Sequence, residues 1–200
     1  MGVQIGLRDL HYALLQDDDI EVGAVYDEPV RIIGAIQANI NPNASRETLF
    51  ADDGPMETAS SLGEIELEMV AADIPLQHQA ALLGHDINEE GIMESNAESI
   101  PPWVAVGFRS LKSDGSYRYV WLLKGKFQEP EASHETKGDT ITFQTPTMNG
   151  GFVKRDCDDL WKLTGDEDEV TFTDDETTWF VAARINKALG EGGEEPPGEE

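Results

Sequence analysis

One short stretch of strict alternation constrains this chain more than any other feature of its sequence. Ile65, Leu67 and Met69 alternate with three glutamates at positions 64, 66 and 68. Successive side chains of a β-strand point to opposite faces of the sheet, so this period predicts a strand with an apolar face and a carboxylate face. The fold must therefore bury one side of this strand and leave a row of negative charge on the other.

The same period of two recurs elsewhere in the chain. It predicts strands at residues 36–41, 140–145 and around 10–14. The pair Pro42-Asn43 signals a turn directly after the strand at 36–41. The segment from Asn43 to Gly63 then reads as a long connection. Long connections in compact domains are usually functional or disordered, so we expect this one to make a contact.

A β-hairpin is predicted between about Trp103 and Phe127. Asp114-Gly115 lies between two apolar runs and fits the two loop residues of a type I′ turn. That loop pairs Phe108 with Trp121, and it places the aromatic residues on one face of the hairpin and the cations on the other.

Two helices are predicted among these strands. The first has its N-cap at Asp73, Pro75 in its first turn and Gly84 at its end, and the second runs from a capping box at residues 173–176 to about Leu189. Leu76, Ala80 and Leu83 would form the buried stripe of the first, and Trp179, Ala183 and Ile185 to Asn186 the packing side of the second. Many strands with one internal helix predict a mainly β protein, a sandwich or barrel with one flanking α-helix and a C-terminal helix.

The charge of the chain excludes one class of partner. Its 14 Lys and Arg stand against 40 Asp and Glu, which gives a formal net charge of −26. Tight nucleic-acid binding needs cations that replace phosphate counterions, so we do not expect it. Residues 109–155 are mildly cationic between two acidic parts, which is either accidental or offers complementary faces to neighbouring copies. Residues 191–200 contain only Glu, Gly and Pro and predict a disordered acidic tail.

The residues give little sign of chemistry. Cys157 is the single cysteine, the four histidines are scattered, and the acid runs near residues 166–169 and 174–176 lack the spacing of a calcium loop. Asp52-Asp53 would serve either as an acid and base pair or as a turn. No phosphate-binding loop or activated nucleophile is recognisable, and no apolar run or secretion signal suggests a membrane. The sequence predicts a structural protein rather than an enzyme, with no cofactor and no metal.

Nine short segments occur in an order that is specific. They are residues 12–15 (YALL), 49–54 (LFADDG), 62–66 (LGEIE), 72–75 (ADIP), 82–85 (LLGH), 107–112 (GFRSLK), 117–121 (YRYVW), 124–127 (KGKF) and 143–146 (FQTP). Together they resemble the major tail proteins, or tail tube proteins, of long non-contractile tailed bacteriophages, the siphophages. The resemblance covers about residues 5–155, and residues 156–200 follow the family less clearly.

The resemblance implies a β-sandwich of the tail-tube type that polymerises as stacked hexameric rings. The tube is the conduit for phage DNA, which passes through without specific binding. The tape-measure protein occupies the channel beforehand, and tail terminator and distal tail proteins close the ends. The protein is then expected in the virion tail, after synthesis and assembly in the host bacterial cytoplasm. The alternative is an acidic β-sandwich binding module, such as a tail-associated adhesin or a carbohydrate-binding protein.

The resemblance also divides the chain and suggests candidate residues. Residues 1–155 would form the tube domain, 156–190 an extension with a helix, and 191–200 the tail. The candidates for the channel wall or a subunit seam are Glu64, Glu66 and Glu68, and those for contacts between subunits are Arg118, Lys124 and Lys126. The candidates for contact with the adjacent ring are Leu49, Phe50, Asp52, Asp53, Pro55 and Met56.

Overall fold

A computed structural model describes residues 2–51, 54–131 and 145–188, and for residues 46–51, 54–60 and 188 it describes the backbone alone. The strands are β1 Gln4–Asp19, β2 Gly23–Tyr26, β3 Val30–Ile32, β4 Ala35–Ala51, β5 Gly54–Ala71, β6 Asp86–Ile87, β7 Met93–Glu94, β8 Val104–Lys112, β9 Tyr117–Phe127, β10 Thr147–Val153, β11 Lys162–Asp166 and β12 Lys187–Ala188. The helices are α1 Leu76–Leu83, α2 Glu176–Trp179 and α3 Ala182–Ile185. The fold is mainly β, as predicted.

Across the described residues, ten strands form one antiparallel sheet, and β6 with β7 forms a small separate hairpin. The main order is β12-β2-β1-β8-β9-β10-β5-β4, with β3 also beside β1 and β11 also beside β9. One edge of β9 pairs first with β11, through Arg118–Leu122 of β9, and then with β10, through Lys124–Phe127. The sheet therefore divides at β9.

The central hairpin β8–β9 is buried on both faces. On one face, Phe108 and Leu122 pack in a core with Ile65 and Leu67 of β5 and Leu82 of α1. On the other face a second core forms, and its members are Ala13, Ala24, Tyr26, Ala105, Tyr119, Trp121, Leu123, Trp179, Phe180 and Ile185. Burial on both faces explains why residues 119–123 form a continuous apolar run instead of an alternating one. We call the second side, over which residues 156–188 lie, the covered face.

The predicted strand at 36–41 is confirmed, but the turn predicted at Pro42-Asn43 is wrong. β4 continues through both residues, with an irregularity in its pairing between Pro42 and Ala44. Proline is tolerated there because β4 lies at the edge of the sheet. Opposite it, a Cβ on Gly63 would stand 2.9 Å from the carbonyl oxygen of Asn43, so glycine permits the close approach of the strands.

The connection predicted from Asn43 to Gly63 is consequently wrong as well. These residues belong to the long hairpin β4–β5, whose pairing extends to Ala51 and Gly54. We call its outer part, residues 44–62, the arm. The predicted turn at Asp52-Asp53 lies outside the described residues. So do nearly all of the predicted strand at 140–145 and the whole of the predicted tail at 191–200.

The hairpin β8–β9 is where it was predicted, but its register differs by one residue. The Lys112 amide donates to the carbonyl of Ser116 at 2.9 Å, so the loop has three residues and ends at Gly115, whose φ is +91°. This is a three-residue loop with glycine in the left-handed region rather than a type I′ turn. Trp121 therefore pairs with Gly107, and Phe108 points to the opposite core. The predicted separation of aromatic residues from cations is wrong, because a shift of one residue exchanges the faces.

The first predicted helix is confirmed as α1, which ends at Gly84 with φ +73°. Its N-cap position is Pro75 rather than Asp73, and no side chain caps it. Leu76 is 49% exposed, so the buried positions are Ala80, Leu82 and Leu83 instead of the predicted stripe.

The second predicted helix is wrong in its length. In the described part of this segment, residues 173–188, the only helices are the single turns α2 and α3, because the chain leaves the helical conformation at Phe180. The capping box is formed by Asp175 and Thr178, two residues later than predicted. Trp179 and Phe180 are consecutive, yet both pack into the core of the covered face, which a continuous helix would not allow. Residues 156–188 also supply β11 to the sheet, so the boundary proposed at 155 separates elements that share one sheet.

Candidate functional surfaces

Glu64, Glu66 and Glu68 lie on the exposed side of β5, and we call this side of β4, β5 and β10 the acidic face. Their apolar partners Ile65, Leu67 and Met69 are buried, which confirms the predicted alternation. In the register, Glu68 lies between Asn39 of β4 and Asn149 of β10, and Glu66 lies between Asn41 and Gly151. The strand pairing thus surrounds the carboxylates with amides and glycine.

Hydrogen bonds on the acidic face come from uncharged groups. Asn39 Nδ2 donates to Glu68 Oε2 at 2.9 Å, and Asn43 Nδ2 donates to Glu66 Oε1 at 3.2 Å. The Glu64 carboxylate lies over Gly151, where a Cβ would stand 1.9 Å from its Oε1. No cation whose side chain is described forms an ion pair with these three glutamates. The acidic face therefore presents negative charge that the described part of the chain does not neutralise.

Lys124, a candidate for contact between subunits, forms two ion pairs within its own protomer. Its Nζ is 2.7 Å from Asp18 Oδ2 and 2.7 Å from Asp156 Oδ2, and only 8% of its side chain is exposed. Burial by itself would lower the pKa of Lys124, but the two carboxylates outweigh it and raise the pKa. Asp18 also accepts the amides of Asp156 and Cys157 at 2.8 and 3.1 Å, so the carboxylate that binds this lysine is itself held by the backbone of residues 156–157.

Arg118 also has an intrachain partner. Its Nη2 is 2.6 Å from Asp166 Oδ2, and the same carboxylate binds the buried Lys112, which in turn contacts Asp168 at 2.9 Å. Burial would raise the pKa of Asp166, but hydrogen bonds from Lys112, the Asp168 amide and Arg118 lower it to about 2. The Arg118 side chain is 42% exposed, so one side of it still faces solvent.

Two further cations hold residues 156–188 in place. Arg155 is buried, makes a two-pronged ion pair with Asp158 at 3.0 and 2.5 Å, and donates from Nη1 to the carbonyl of Ile185 at 2.7 Å. Arg109 pairs with Asp9 and with Glu176 at the start of α2. The cationic middle of the chain is thus matched largely by acids of its own flanks. Except for Arg155 with Asp158, these pairs join residues far apart in the chain and depend on strand register, so the sequence does not reveal them.

Lys126 is the remaining candidate for a contact between subunits. No described carboxylate pairs with it, and its Nζ lies 4.6 Å from the centroid of the Trp103 ring. Trp103 is 36% exposed, so lysine and indole together form an accessible cation and aromatic pair. Among the three predicted cations, Lys126 is the one that a neighbour can approach without competition from a described carboxylate.

The candidates for contact with an adjacent ring lie in the arm. Leu49 pairs with Glu57 and Phe50 pairs with Pro55 in the backbone register, and Met56 follows on β5. Asp52 and Asp53 lie outside the described residues. Because β10 pairs with β5 only through Ile65–Val70, the arm is a two-stranded ribbon beyond the rest of the sheet.

Among the described residues, no group of three or more His, Cys, Asp and Glu side chains is arranged to hold a metal ion. No helix in that part of the chain is long and apolar enough to cross a membrane. No protein-family model matches the chain, and no curated protein is significantly similar to it.

Proposed function

We propose that this chain is the structural subunit of a siphophage tail tube, assembled as stacked hexameric rings around the path of the phage DNA. The tape-measure protein would occupy the channel before ejection, and terminator and distal tail proteins would bound the tube. The ordered segments from residues 12–15 to 143–146 motivate this proposal. The mainly β architecture, with α1 packed on the sheet, is compatible with it.

The observation that carries the proposal is the acidic face. Glu64, Glu66 and Glu68 follow one another along a strand with no described cation beside them, although eight other cations of the chain have carboxylate partners. A conduit must not retain its cargo, and unpaired carboxylates repel the phosphates of DNA where cations would bind them. A row of this kind on the wall of a channel, or at a seam beside it, would let DNA slide.

The arm supports the second part of the proposal, which is stacking. An isolated two-stranded hairpin is at best marginally stable in water, and the outer part of β4–β5 has no third strand among the described residues. A contact with another copy would supply the missing partner. We propose that the arm reaches the adjacent ring.

Electron microscopy of the concentrated protein, with analytical ultracentrifugation of the same samples, tests this function. We expect rings or tubes with a hollow centre, and a sedimentation coefficient that rises with concentration. Raised salt screens the net charge over about 10 Å at 0.1 M, so the salt series should include values above that. A protein that stays monomeric at every concentration and salt level would contradict the proposal and favour a binding module.

A further inference from the structure

Three guanidinium groups line one cleft of this acidic molecule. Arg8, Arg31 and Arg109 surround a cleft of about 440 Å³ together with Asp9 and Glu176. It lies where β1, β3 and the first residue of α2 meet. Three arginines against two carboxylates leave a positive balance, in a chain whose net charge is −26. The cleft is therefore an attractive place for an anion on a surface that otherwise repels anions.

The backbone at Asp9 holds the cleft in shape. Asp9 has φ +52°, a left-handed conformation at a break in the pairing between β1 and β8. Its carboxylate is 11% exposed and receives Arg31 on one oxygen and Nε of Arg109, at 2.5 Å, on the other. His11 Nδ1 lies 2.8 Å from the Asp9 carbonyl and steadies the same bulge. Such strain persists only where the surroundings fix it, and here it sets two guanidinium groups side by side.

Each guanidinium keeps hydrogen-bonding capacity for a further anion. A guanidinium has five N–H donors, and Asp9 and Glu176 use only some of those on Arg31 and Arg109. Arg8 is exposed and pairs with no described carboxylate. Carboxylates match such groups in two-pronged geometry, which makes an acidic peptide a suitable occupant.

We propose that this cleft binds the acidic C-terminal segment, residues 191–200, of a second copy of the chain. That segment has five glutamates, no cation and otherwise only Gly and Pro, so it carries charge without bulky side chains. The inference goes beyond the proposed tube, because it concerns a contact between copies that does not depend on rings.

The direction of the last strand favours a second copy over the same one. β12 runs antiparallel to β2, so the chain passes Gly23 at Ala188 and heads away from β3 and Arg31. Gly23 lies opposite Asp19 of β1, whereas Arg31 lies opposite His11, which is about 26 Å back along the strand at 3.3 Å a residue. To reach its own cleft the chain would have to reverse and spend about eight residues on the distance alone. Few glutamates would remain to bind.

Fluorescence anisotropy with a labelled peptide of residues 189–200 tests the proposal. The protein is the full chain with Glu191, Glu194, Glu195, Glu199 and Glu200 changed to Gln, so that its own tail does not compete. We expect saturable binding at low salt. In this background, Arg8→Glu with Arg31→Glu should weaken binding by about tenfold or more, since each lost charge-assisted contact is worth about a factor of ten.

Matched controls separate the cleft from the net charge. Lys154→Glu with Lys162→Glu changes the charge equally at exposed positions outside the cleft, and binding should stay within about twofold. Arg8→Glu alone keeps both ion pairs of Asp9, so it should weaken binding while the circular dichroism spectrum stays unchanged. A peptide with Gln for every Glu should not bind.

Four results would overturn the proposal. The first is equal binding by the Arg8 and Arg31 double variant and the background protein, and the second is equal binding of the Gln and Glu peptides. A single-stranded oligonucleotide that displaces the peptide at a lower concentration would assign the cleft to phosphates. Labelled peptide that fails to bind the unmodified chain, under conditions where that chain sediments as a monomer, would place its own tail in the cleft. None of these results depends on the formation of rings. Failure of the peptide-binding proposal can therefore be distinguished from failure of the tube proposal.

Discussion

On the covered face, Lys124 and Arg155 are buried, and they pair with Asp18 and with acids of residues 156–158. On the acidic face, Glu64, Glu66 and Glu68 are exposed, and their described hydrogen-bond donors are side-chain amides rather than cations. Both faces belong to one sheet of one acidic chain. The difference shows that the net charge of the chain does not indicate which charged side chains lack a partner of opposite charge.

Burial explains the division of the cations. A buried cation without a partner is strongly destabilising, so the fold places its carboxylates around Lys112, Lys124 and Arg155. The remaining described cations form no ion pair with Glu64, Glu66 or Glu68. On the covered face charge therefore holds the fold together, and on the acidic face it is left for interactions outside the protomer.

The largest loss of stability should follow from removing a large buried side chain from the core of the covered face. Trp121 is fully buried, packs against Phe180 and donates from Nε1 to the Trp179 carbonyl at 3.1 Å. Trp121→Ala should lower the free energy of unfolding by about 3–5 kcal/mol in urea titrations followed by far-UV circular dichroism. Glu66→Ala on the acidic face should change it by no more than about 0.5 kcal/mol. Equal losses at the two positions would break the comparison.

Lys124 and Lys126, two residues apart, should behave as members of different surfaces. Lys124→Glu places a third carboxylate beside Asp18 and Asp156 and should cost about 3 kcal/mol or more of unfolding free energy. Lys126→Glu should cost about 0.5 kcal/mol or less, because Lys126 has no described carboxylate partner. Urea unfolding of the two single variants measures both. If Lys126→Glu unfolds the protein as well, it is not available for contacts between subunits.

Acid should act first on the ion pairs of Asp166 with Lys112 and Arg118. The pKa of Asp166 is lowered from 3.8 to about 2 by Lys112, Asp168 and Arg118 against the opposing effect of burial. A carboxyl with a depressed pKa in the folded state stabilises above its unfolded pKa, and this stabilisation is lost as pH falls from about 4 through about 2. Asp166→Asn should therefore flatten the fall in unfolding free energy over that range. Glu66→Gln, the control on the acidic face, should leave the acid slope nearly unchanged.

Patterns that depend on neighbouring residues were predictable from the sequence. The period of two identified Ile65, Leu67 and Met69 as buried, and Gly84 marked the end of α1. The register of β8–β9 was not predictable, because Asp114-Gly115 fits a two-residue loop and also a three-residue loop with Gly115 in the left-handed region. One residue of difference was enough to place Trp121 and Phe108 in different cores.

The arm and the ion pairs were missed for reasons of context. Pro42 and Asn43 end a strand in most settings, but an edge strand tolerates them, so β4 runs on. The pair of Lys124 with Asp18 joins residues 106 positions apart and exists only once β1, β8 and β9 are in register. Sequence therefore located the acidic row, yet it did not show which cations were already committed.

Shortening the arm tests whether the arm connects one ring to the next. Thr48 pairs with Thr58, so replacing residues 49–57 by Asn-Gly closes the hairpin in register. The body of the sheet is untouched, and we expect the free energy of unfolding to change by about 1 kcal/mol or less. In electron micrographs the variant should give single rings rather than tubes. Tubes of normal length would show that the arm is not the connector.

The acidic face itself should respond least in stability and should show its role only in assembled tails. Replacing Glu64, Glu66 and Glu68 with Gln removes repulsion between like charges on one strand, so the free energy of unfolding should change by about 0.5 kcal/mol or less per position.

Replacing these three glutamates with Lys adds cations that bind phosphate, and DNA ejection from assembled phage should slow if they line the channel. The matched control is Lys at Glu21, Glu89 and Glu90, which are exposed elsewhere and change the charge equally. Normal ejection by assembled tails with the three lysines at 64, 66 and 68 would remove these residues from the channel wall. Slow ejection in both triple variants would instead attribute the effect to net charge. Slow ejection in the variant of residues 64, 66 and 68 alone would show that the acidic face affects the passage of DNA.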